Sequence, residues 1–596
     1  AAQGAAAAAA SWGPFEEQLA SLCDTHLEHS EPRVRALVAG GLGALAARHG
    51  PAVYARLEGR LLAALAENFV RTDASIPDRI AGERVAVDDT TGWKSLETCF
   101  LAVKACVEGL GGRFLAAGHL TEELWARVRA GAAEHVNRHV REASFQTCRA
   151  LLAAHGPGGL AGAAAAAAAG GALCRRRLTE EAAQILSVGL QDNWSQVRYA
   201  ASVCARAFFL GLPDEEGARE AFLPLLLPRM CLNRYYLADG VKIYSQETWS
   251  ILFKTEGRAK VAQYAGEVAA YYCDIADMDN HVVRESACHS IAEYAVKVDR
   301  AAAAPHVPRL LRTLMACFYD ESWPVRDAAC VASGDFAAAY PEECRGVQAQ
   351  LWERWFFHLS DPIWSVREDA AVALGQVSKA YGPEAIAKLV EWIEENLPKA
   401  KSQPAMSKAD FDALQNDAEH HSGNQVYSCG SLAPKLKKGA RKKKGGCSDC
   451  HVDRPKQPWE HTDGAIYLVR ELAGLDPDAA IAFFEPLAEV ARLDHFVYAD
   501  TLRETLWKCL PVIAERLGKK VFKRHLGVFL EPLLLGTCGR ADRSALARHA
   551  GADCAGALAK LVGPGIFRGR LTEDMLDVID RQRHLFIPTG LVGDRP

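Results

Sequence analysis

The stretch DESWPVRDAACVA, residues 320–332, recurs as DPIWSVREDAAVA at residues 361–373. Both copies place an Asp six residues before an Arg, with a Trp and a Val between them in the same order. A near-identical stretch at a fixed spacing is typical of chains that stack one supersecondary unit many times. The sequence therefore predicts a repeat architecture.

A Val followed by a basic residue is the most regular part of this repeat, and we call it the anchor. Successive anchors place their basic residues 44, 42, 42 and 41 positions apart. An Asp at the end of a turn can cap the next helix, and the Ala three residues after each anchor Arg lets neighbouring helices approach closely. Each unit is therefore predicted to be helix, turn, helix. The regular anchors are Val197-Arg198, Val241-Lys242, Val283-Arg284, Val325-Arg326 and Val366-Arg367.

The pattern continues less regularly toward both ends of the chain. Upstream anchors are Val34-Arg35, Trp93-Lys94 and Val140-Arg141, and downstream units are expected from Trp459 onward. We predict roughly ten units in total. The predicted organisation is an Ala-rich low-complexity N-terminus (1–14), a solenoid (15–402) with a Gly/Ala-rich loop (155–172), an insertion (403–458), further repeats (459–582) and a tail (583–596).

The spacing near 42 residues, with an Asp, a Val-Arg pair and a following small residue, resembles HEAT repeats. The resemblance covers about 15–400 and 459–580. It implies an all-α fold, a right-handed α-solenoid of HEAT-like helix pairs with one long basic disordered insertion. HEAT repeats occur in phosphatase scaffolds, nuclear import receptors, condensin subunits, tubulin-folding cofactors and cilium assembly factors, so the resemblance implies architecture more than activity.

In HEAT families the Asp and Arg side chains form a ladder between adjacent repeats. The resemblance implies this structural role here, and ligand binding is the alternative. The corresponding residues are Asp192, Arg198, Arg284, Asp320, Arg326, Asp361 and Arg367. Trp194, Trp323 and Trp364 recur at the same turn, where they either pack between repeats or anchor a partner.

The insertion carries KLKKGARKKK, with seven basic residues in ten positions. The insertion is poor in aliphatic residues, which predicts that it does not fold alone. A local positive field suits acidic protein tails, RNA, anionic lipid or nuclear-import recognition, and a merely solvated loop is the alternative. The seven candidate partner-binding residues are Lys435, Lys437, Lys438, Arg441, Lys442, Lys443 and Lys444.

The sequence CSDCH at 447–451 also lies in the insertion. It matches the C-x-x-C-H of covalent haem attachment, and its cysteines could instead join a zinc site with Cys429, His420 or His421. The third interpretation is free thiols. We predict no metal, and Cys447, Cys450 and His451 are the candidate ligands if one binds.

Composition and motif content argue against an enzyme. The net charge of −5 gives no global basic field, and 49% hydrophobic residues suffice for a large core. The sequence lacks a phosphate-binding loop, an H-E-x-x-H motif and a G-x-S-x-G elbow. We predict no catalytic activity and no cofactor, although some HEAT-like proteins, the bilin lyases, are enzymes.

The function predicted from these features is protein binding by a scaffold, as a component or assembly factor of a large intracellular complex, possibly ciliary or cytoskeletal. The alternatives are an adaptor of phosphatase-scaffold or import-receptor type, and an RNA-binding factor acting through the basic residues. Arg234, Tyr235, Tyr236 and Tyr244 either line a contact surface or pack in the core. Eighteen cysteines without a dense framework suggest a reducing, cytoplasmic setting, with cilium, nucleus or organelle as alternatives. The opening residues do not resemble a secretory signal.

Overall fold

The computed structural model describes residues 25–69, 92–160, 175–214, 217–407 and 454–592, with isolated positions at 17–18, 21–22 and 409. Within these ranges the chain forms helices and turns, and a single isolated bridge pairs Met406 with Phe496. None of the described helices is long and apolar enough to cross a membrane. The chain divides into two compact units, Ala1–Tyr272 (unit 1) and Cys273–Pro596 (unit 2).

Unit 1 consists of helix pairs. The second helix of each pair carries the anchor, and it packs on the anchor helix of the next pair. These anchor helices are α1, α3, α6, α8 and α10 of the following series. The helices are α1 (Pro32–His49), α2 (Pro51–Phe69), α3 (Trp93–Leu110), α4 (Gly112–Ala116), α5 (Glu122–Ala133), α6 (Arg138–Ala154), α7 (Arg175–Gly189), α8 (Ser195–Gly211), α9 (Leu223–Asn233), α10 (Asp239–Phe253), α11 (Gly257–Gln263) and α12 (Ala265–Ile275).

Unit 2 continues the same scheme, with anchor helices α13, α16, α18, α20, α23 and α25 packed in sequence. Its helices are α13 (His281–Lys297), α14 (Arg300–Ala303), α15 (Val307–Cys317), α16 (Trp323–Ala339), α17 (Gln348–His358), α18 (Trp364–Tyr381), α19 (Pro383–Asn396), α20 (Pro458–Leu472), α21 (Pro477–Ala482), α22 (Phe484–Arg492), α23 (Ala499–Leu517), α24 (Lys519–Leu530), α25 (Ala545–Val562), α26 (Pro564–Arg568), α27 (Glu573–Arg581) and α28 (Arg583–Phe586).

Small residues let the anchor helices approach each other. A Cβ built on Gly43 of α1 would lie 2.7 Å from the Cβ of Ala105 on α3. A Cβ on Gly334 of α16 would lie 2.7 Å from the Cβ of Ala373 on α18. Because real Cβ atoms do not come this close, glycine at these two crossings is required by the helix separation.

The insertion separates two helices that pack together. Helix α19 ends at Asn396, its partner α20 begins at Pro458, and α20 packs on both α19 and α18. The buried Thr462 hydroxyl of α20 donates to the carbonyl oxygen of Leu397 and accepts from the Ala400 amide, at 3.0 and 2.9 Å. These bonds fix the end of α19 to α20, so the stack resumes directly after the insertion.

The turn that recurs before the anchor helices differs from the N-cap expected from sequence. The N-caps of α8, α16 and α18 are Trp194, Ser322 and Ile363, and none of their side chains caps the helix. The aspartates lie two residues earlier, where one carboxylate oxygen accepts from the backbone N–H two positions on. This is an Asx turn, and it leaves the second oxygen for a contact outside the turn.

Lys254, directly after α10, is the one non-glycine residue with positive φ among the residues described, at φ 47°. Because a Cβ is disfavoured in this region, Lys254→Gly should stabilise unit 1 by about 0.5–1 kcal/mol. Lys254→Ala keeps the Cβ and should give no such gain. Thermal unfolding of both variants tests this, and an equal gain in the alanine variant would contradict it.

Candidate functional site

An arginine–carboxylate ladder joins successive anchor helices of unit 2. In each step the guanidinium of one anchor arginine donates to an Asp of the next repeat. The Nε-to-Oδ2 distances are 2.7 Å for Arg284–Asp320, 3.0 Å for Arg326–Asp361 and 2.8 Å for Arg367–Asp463. All six side chains are almost completely buried, so this ladder lies inside the stack.

Each of these arginines also holds its own turn. Its Nη1 donates to the backbone carbonyls five and six residues earlier, which for Arg326 are those of Glu321 and Asp320 at 3.3 and 2.8 Å. One guanidinium therefore fixes the turn before its helix and the carboxylate of the following repeat. That arrangement satisfies the donors internally and leaves the side chain unavailable to a ligand.

Unit 1 has a ladder of the same kind, but with a different last step. Arg35 donates to Glu97 at 2.6 Å, and Arg141 donates to Asp192 at 2.7 Å. Arg198 donates instead to the amide oxygen of Asn233 at 2.7 Å. Asp192 therefore pairs with the arginine of the preceding repeat, while Arg198 has a neutral partner.

The recurring tryptophans do not form one continuous surface. The Arg138 guanidinium lies over the half-buried Trp194 at 4.3 Å, and Trp323 is also half-buried. Trp364 is 59% exposed. Trp459, the second residue of the equivalent helix α20, is buried and stacks on Tyr498 with ring centroids 4.7 Å apart. The same sequence position therefore serves packing in one repeat and is open to solvent in another.

Exposed apolar side chains gather on the anchor helices α8 and α10, which pack on each other. Tyr199 and Leu210 of α8 are 42% and 44% exposed, and Ile243 and Ile251 of α10 are 63% and 42% exposed. We call these four residues, with the half-buried Tyr244, the α8–α10 surface. The rings of Tyr199 and Tyr244 meet edge to face at 5.5 Å.

Arg206 fixes the aromatic part of this surface. Its guanidinium lies 3.7 Å from the centre of the Tyr244 ring and donates to Glu247 and Thr248, each at 2.8 Å. A planar cation over an aromatic face, held by two further acceptors, loses little conformational freedom when a partner binds. The surface therefore places tyrosine and arginine, which are enriched among the residues that dominate binding energy at protein interfaces, beside exposed aliphatic groups.

The four residues predicted from 234–244 divide between core and surface. Tyr236 is buried under the Arg198 guanidinium at 4.3 Å. Arg234 lies over Tyr235 and Trp249. Tyr244 belongs to the α8–α10 surface. Tyr199, Ile243 and Ile251 were missed, because their exposure depends on which helix faces remain uncovered in the stack.

Half-buried carboxyl groups lie on three successive anchor helices of unit 2. Burial raises the pKa of Glu285 on α13 to about 7. Burial raises the pKa of Asp327 on α16 to about 6, and burial together with the Asp327 charge raises the pKa of Asp369 on α18 to about 8. Asp327 and Asp369 are hydrogen-bonded to each other, so Asp369 holds the proton and donates it.

The predicted basic residues between Lys435 and Lys444, and the candidate ligands between Cys447 and His451, lie outside the described residues. The chain that follows them is anchored by basic side chains. Arg454 pairs with the buried Glu460, and the Lys456 ammonium lies 4.4 Å from the centre of the Phe357 ring. Where the structure describes the chain, no three His, Cys, Asp or Glu side chains gather as metal ligands would.

The helix pairs, stacked anchor helix on anchor helix and joined by buried arginine–carboxylate contacts, define a class of protein. Each unit has an all-α, HEAT-like solenoid fold. The chain matches no protein-family model. No curated protein matches it either.

Several solved structures are similar to this chain. Kap121p bound to Nup53p matches at 13% identity and a TM-score of 0.43, with 96% of this chain and 53% of that chain covered. Kap121p bound to Pho4p matches at 14% identity and a TM-score of 0.43, covering 97% and 54%. The Kap95:Nup1 complex matches at 12% identity and a TM-score of 0.32, covering 96% and 70%. The chain spans about half the length of the Kap121p chains.

Proposed function

We propose that this chain is a non-enzymatic scaffold that binds another protein through the α8–α10 surface. The observation that carries the proposal is the exposure of Tyr199, Ile243 and Ile251 on adjacent anchor helices, beside the fixed pair of Arg206 and Tyr244. Apolar groups clustered on one face point to an interface, whereas single exposed apolar residues carry no such meaning.

The ladder supports binding rather than chemistry. In unit 2 its charged groups are buried and paired with each other, so they hold the repeats in register and do not reach a substrate. An α-solenoid held in this way offers an extended, semi-rigid surface to a partner. We propose a cytoplasmic component or assembly factor of a larger complex, with a ciliary or cytoskeletal complex as one candidate and an adaptor of phosphatase-scaffold or import-receptor type as the alternative.

The test compares capture from native extract by the intact chain and by a Tyr199→Ser, Ile243→Ser, Ile251→Ser variant. Loss of an interface anchor typically costs about 2 kcal/mol, so the retained amount of the specific partner should fall by about 30-fold or more. Leu546→Ser is the matched control, because Leu546 of α25 is 67% exposed and belongs to unit 2, outside the α8–α10 surface as defined. Equal capture by all three proteins would overturn the proposed site.

A second variant separates the RNA alternative from the scaffold. Neutralising the seven basic residues from Lys435 to Lys444 leaves the α8–α10 surface intact. Under our proposal this variant retains the partner, and nuclease treatment of the extract changes nothing. Loss of the bound material in either condition would favour RNA binding through the basic residues, because such binding depends on charge.

A further inference from the structure

Arg198 is an exception among the buried anchor arginines of the described chain. Its side chain is fully buried, and its Nε and Nη1 donate to the backbone carbonyls of Asp192 and Leu190 at 3.0 and 2.9 Å. Its contact in the next repeat is the neutral Asn233 amide. The arginines that do contact a carboxylate are Arg35, Arg141, Arg284, Arg326 and Arg367.

Two hydrogen-bond donors of unit 1 are buried without an acceptor among the described residues. They are Nη2 of Arg198 and the hydroxyl of Tyr271, whose side chain is itself more than nine-tenths buried. Both Arg198 and Arg229 act electrostatically on that hydroxyl, and the Arg229 guanidinium lies 4.7 Å from the centre of the Tyr271 ring.

Arg229 brings a second positive charge, and none of the described residues supplies it with a carboxylate partner. Its Nε donates to the carbonyl of Ser187 at 2.8 Å and its Nη1 to that of Leu225 at 2.6 Å. Carbonyl oxygens satisfy donors but do not neutralise charge. Unit 1 therefore places a buried guanidinium, a half-buried guanidinium and a buried phenol hydroxyl where the ladder elsewhere supplies an acid.

Leaving a charge of this kind uncompensated in a helix core is costly, and arginine does not escape by losing its proton. We propose that unit 1 binds a small inorganic anion, chloride in ordinary buffers, between Nη2 of Arg198 and the hydroxyl of Tyr271, beside Arg229. The anion takes the place of the carboxylate that Asp320 or Asp361 supplies in unit 2. A water molecule there would accept the hydrogen bonds but would leave the charge in place.

The test is thermal unfolding of the full chain in sodium chloride and in sodium gluconate at equal ionic strength. A ligand that binds only the folded state raises its stability in proportion to the logarithm of its concentration. We expect the unfolding temperature to rise by about 2–5 °C as chloride replaces gluconate, linearly with the logarithm of the chloride concentration once that concentration exceeds the dissociation constant. Tyr271→Phe removes one donor and should raise several-fold the chloride concentration at which the rise begins.

Asn233→Asp supplies the missing carboxylate and should abolish the chloride dependence. Asn396→Asp makes the same chemical change at a buried asparagine of unit 2 and should leave the dependence unchanged. Equal transitions in both salts would show that water alone occupies the position, and a dependence that survives Asn233→Asp would place the anion elsewhere. Either result overturns the proposal. Anomalous diffraction from crystals in bromide gives an independent answer if a variant fails to fold.

Discussion

Replacing Arg326 with Met should lower the stability of unit 2 by about 3–5 kcal/mol. Methionine keeps an apolar stem of similar length but leaves the Asp361 carboxylate, which is fully buried, without its guanidinium partner. Burial alone raises the pKa of Asp361, and the His358 hydrogen bond and the Arg326 charge outweigh burial and hold that pKa well below its usual range. Arg326→Met removes one of the two groups, Arg326 and His358, that stabilise the charged form of the buried Asp361.

The matched control is Arg300→Met, which removes the same charge from an exposed ion pair. Arg300 is 55% exposed and pairs with Glu343 at 2.8 Å. Exposed pairs contribute about 0–1 kcal/mol, so this variant should lie within that range of the parent. Calorimetry of the full chain measures the loss of stability in each variant. Hydrogen exchange at α16 and α18 shows whether the loss is local, as expected.

A double variant separates the cost of a broken pair from the value of an intact one. Removing both partners, as Arg326→Met with Asp361→Asn, leaves no uncompensated charge and keeps an acceptor for the Ile363 amide. It should be more stable than Arg326→Met alone, because most of the loss in the single variant is the stranded carboxylate. A double variant whose loss equals the sum of both single losses would contradict this account.

The ladder shows how much of the fold could be predicted from the sequence. The period near 42 residues indicates helix pairs. The resemblance to HEAT repeats implies a ladder between adjacent repeats, and Asp320 and Asp361 do pair with the arginines of the preceding repeats. The ladder residues predicted from sequence do not include Asp463, which lies in helix α20 four positions after Trp459 and pairs with Arg367. Tertiary packing across the insertion brings this carboxylate to Arg367.

The candidate site could be predicted from the sequence less well than the fold. Val and Ile at helix spacing indicate a core, so nothing in the local pattern separates the exposed Ile243 from the buried Val241. Which face of α10 stays open depends on the neighbours of that helix in three dimensions. The neutral partner of Arg198 is hidden for the same reason, since Asn233 is the last residue of α9 and does not lie in the following turn, where other repeats carry the Asp. Contacts between repeats decide both features.

Asp369→Asn should stabilise unit 2 at alkaline pH and change its stability little in acid. In the folded chain the pKa of Asp369 is raised to about 8, by burial and then by the charge of Asp327, while an unfolded aspartate titrates near 4. The folded state therefore binds the proton more tightly. This contribution is present below about pH 4 and is lost as the pH rises toward 8.

In the variant the asparagine amide donates to Asp327 at every pH. The variant therefore does not lose stability as the pH rises, as the parent does when Asp369 loses its proton. Glu368 on the same helix and Arg470 on α20 act on Asp369 in opposite directions, and Glu285 acts on Asp327. Because both aspartates are partly exposed, the effect is reduced by screening. We expect the variant to be about 1–2 kcal/mol more stable than the parent at pH 8 and within about 0.5 kcal/mol of it at pH 5.

Urea unfolding at pH 5, 6.5 and 8 measures this difference, and Asp478→Asn provides the control because Asp478 of the same unit is exposed. The control should differ from the parent by a similar amount at each pH. A constant difference for Asp369→Asn would mean that the Asp327–Asp369 pair does not hold a proton. A difference that grows with pH means that the stack carries a shared proton between two anchor helices, which makes their contact weaker as the solution becomes alkaline.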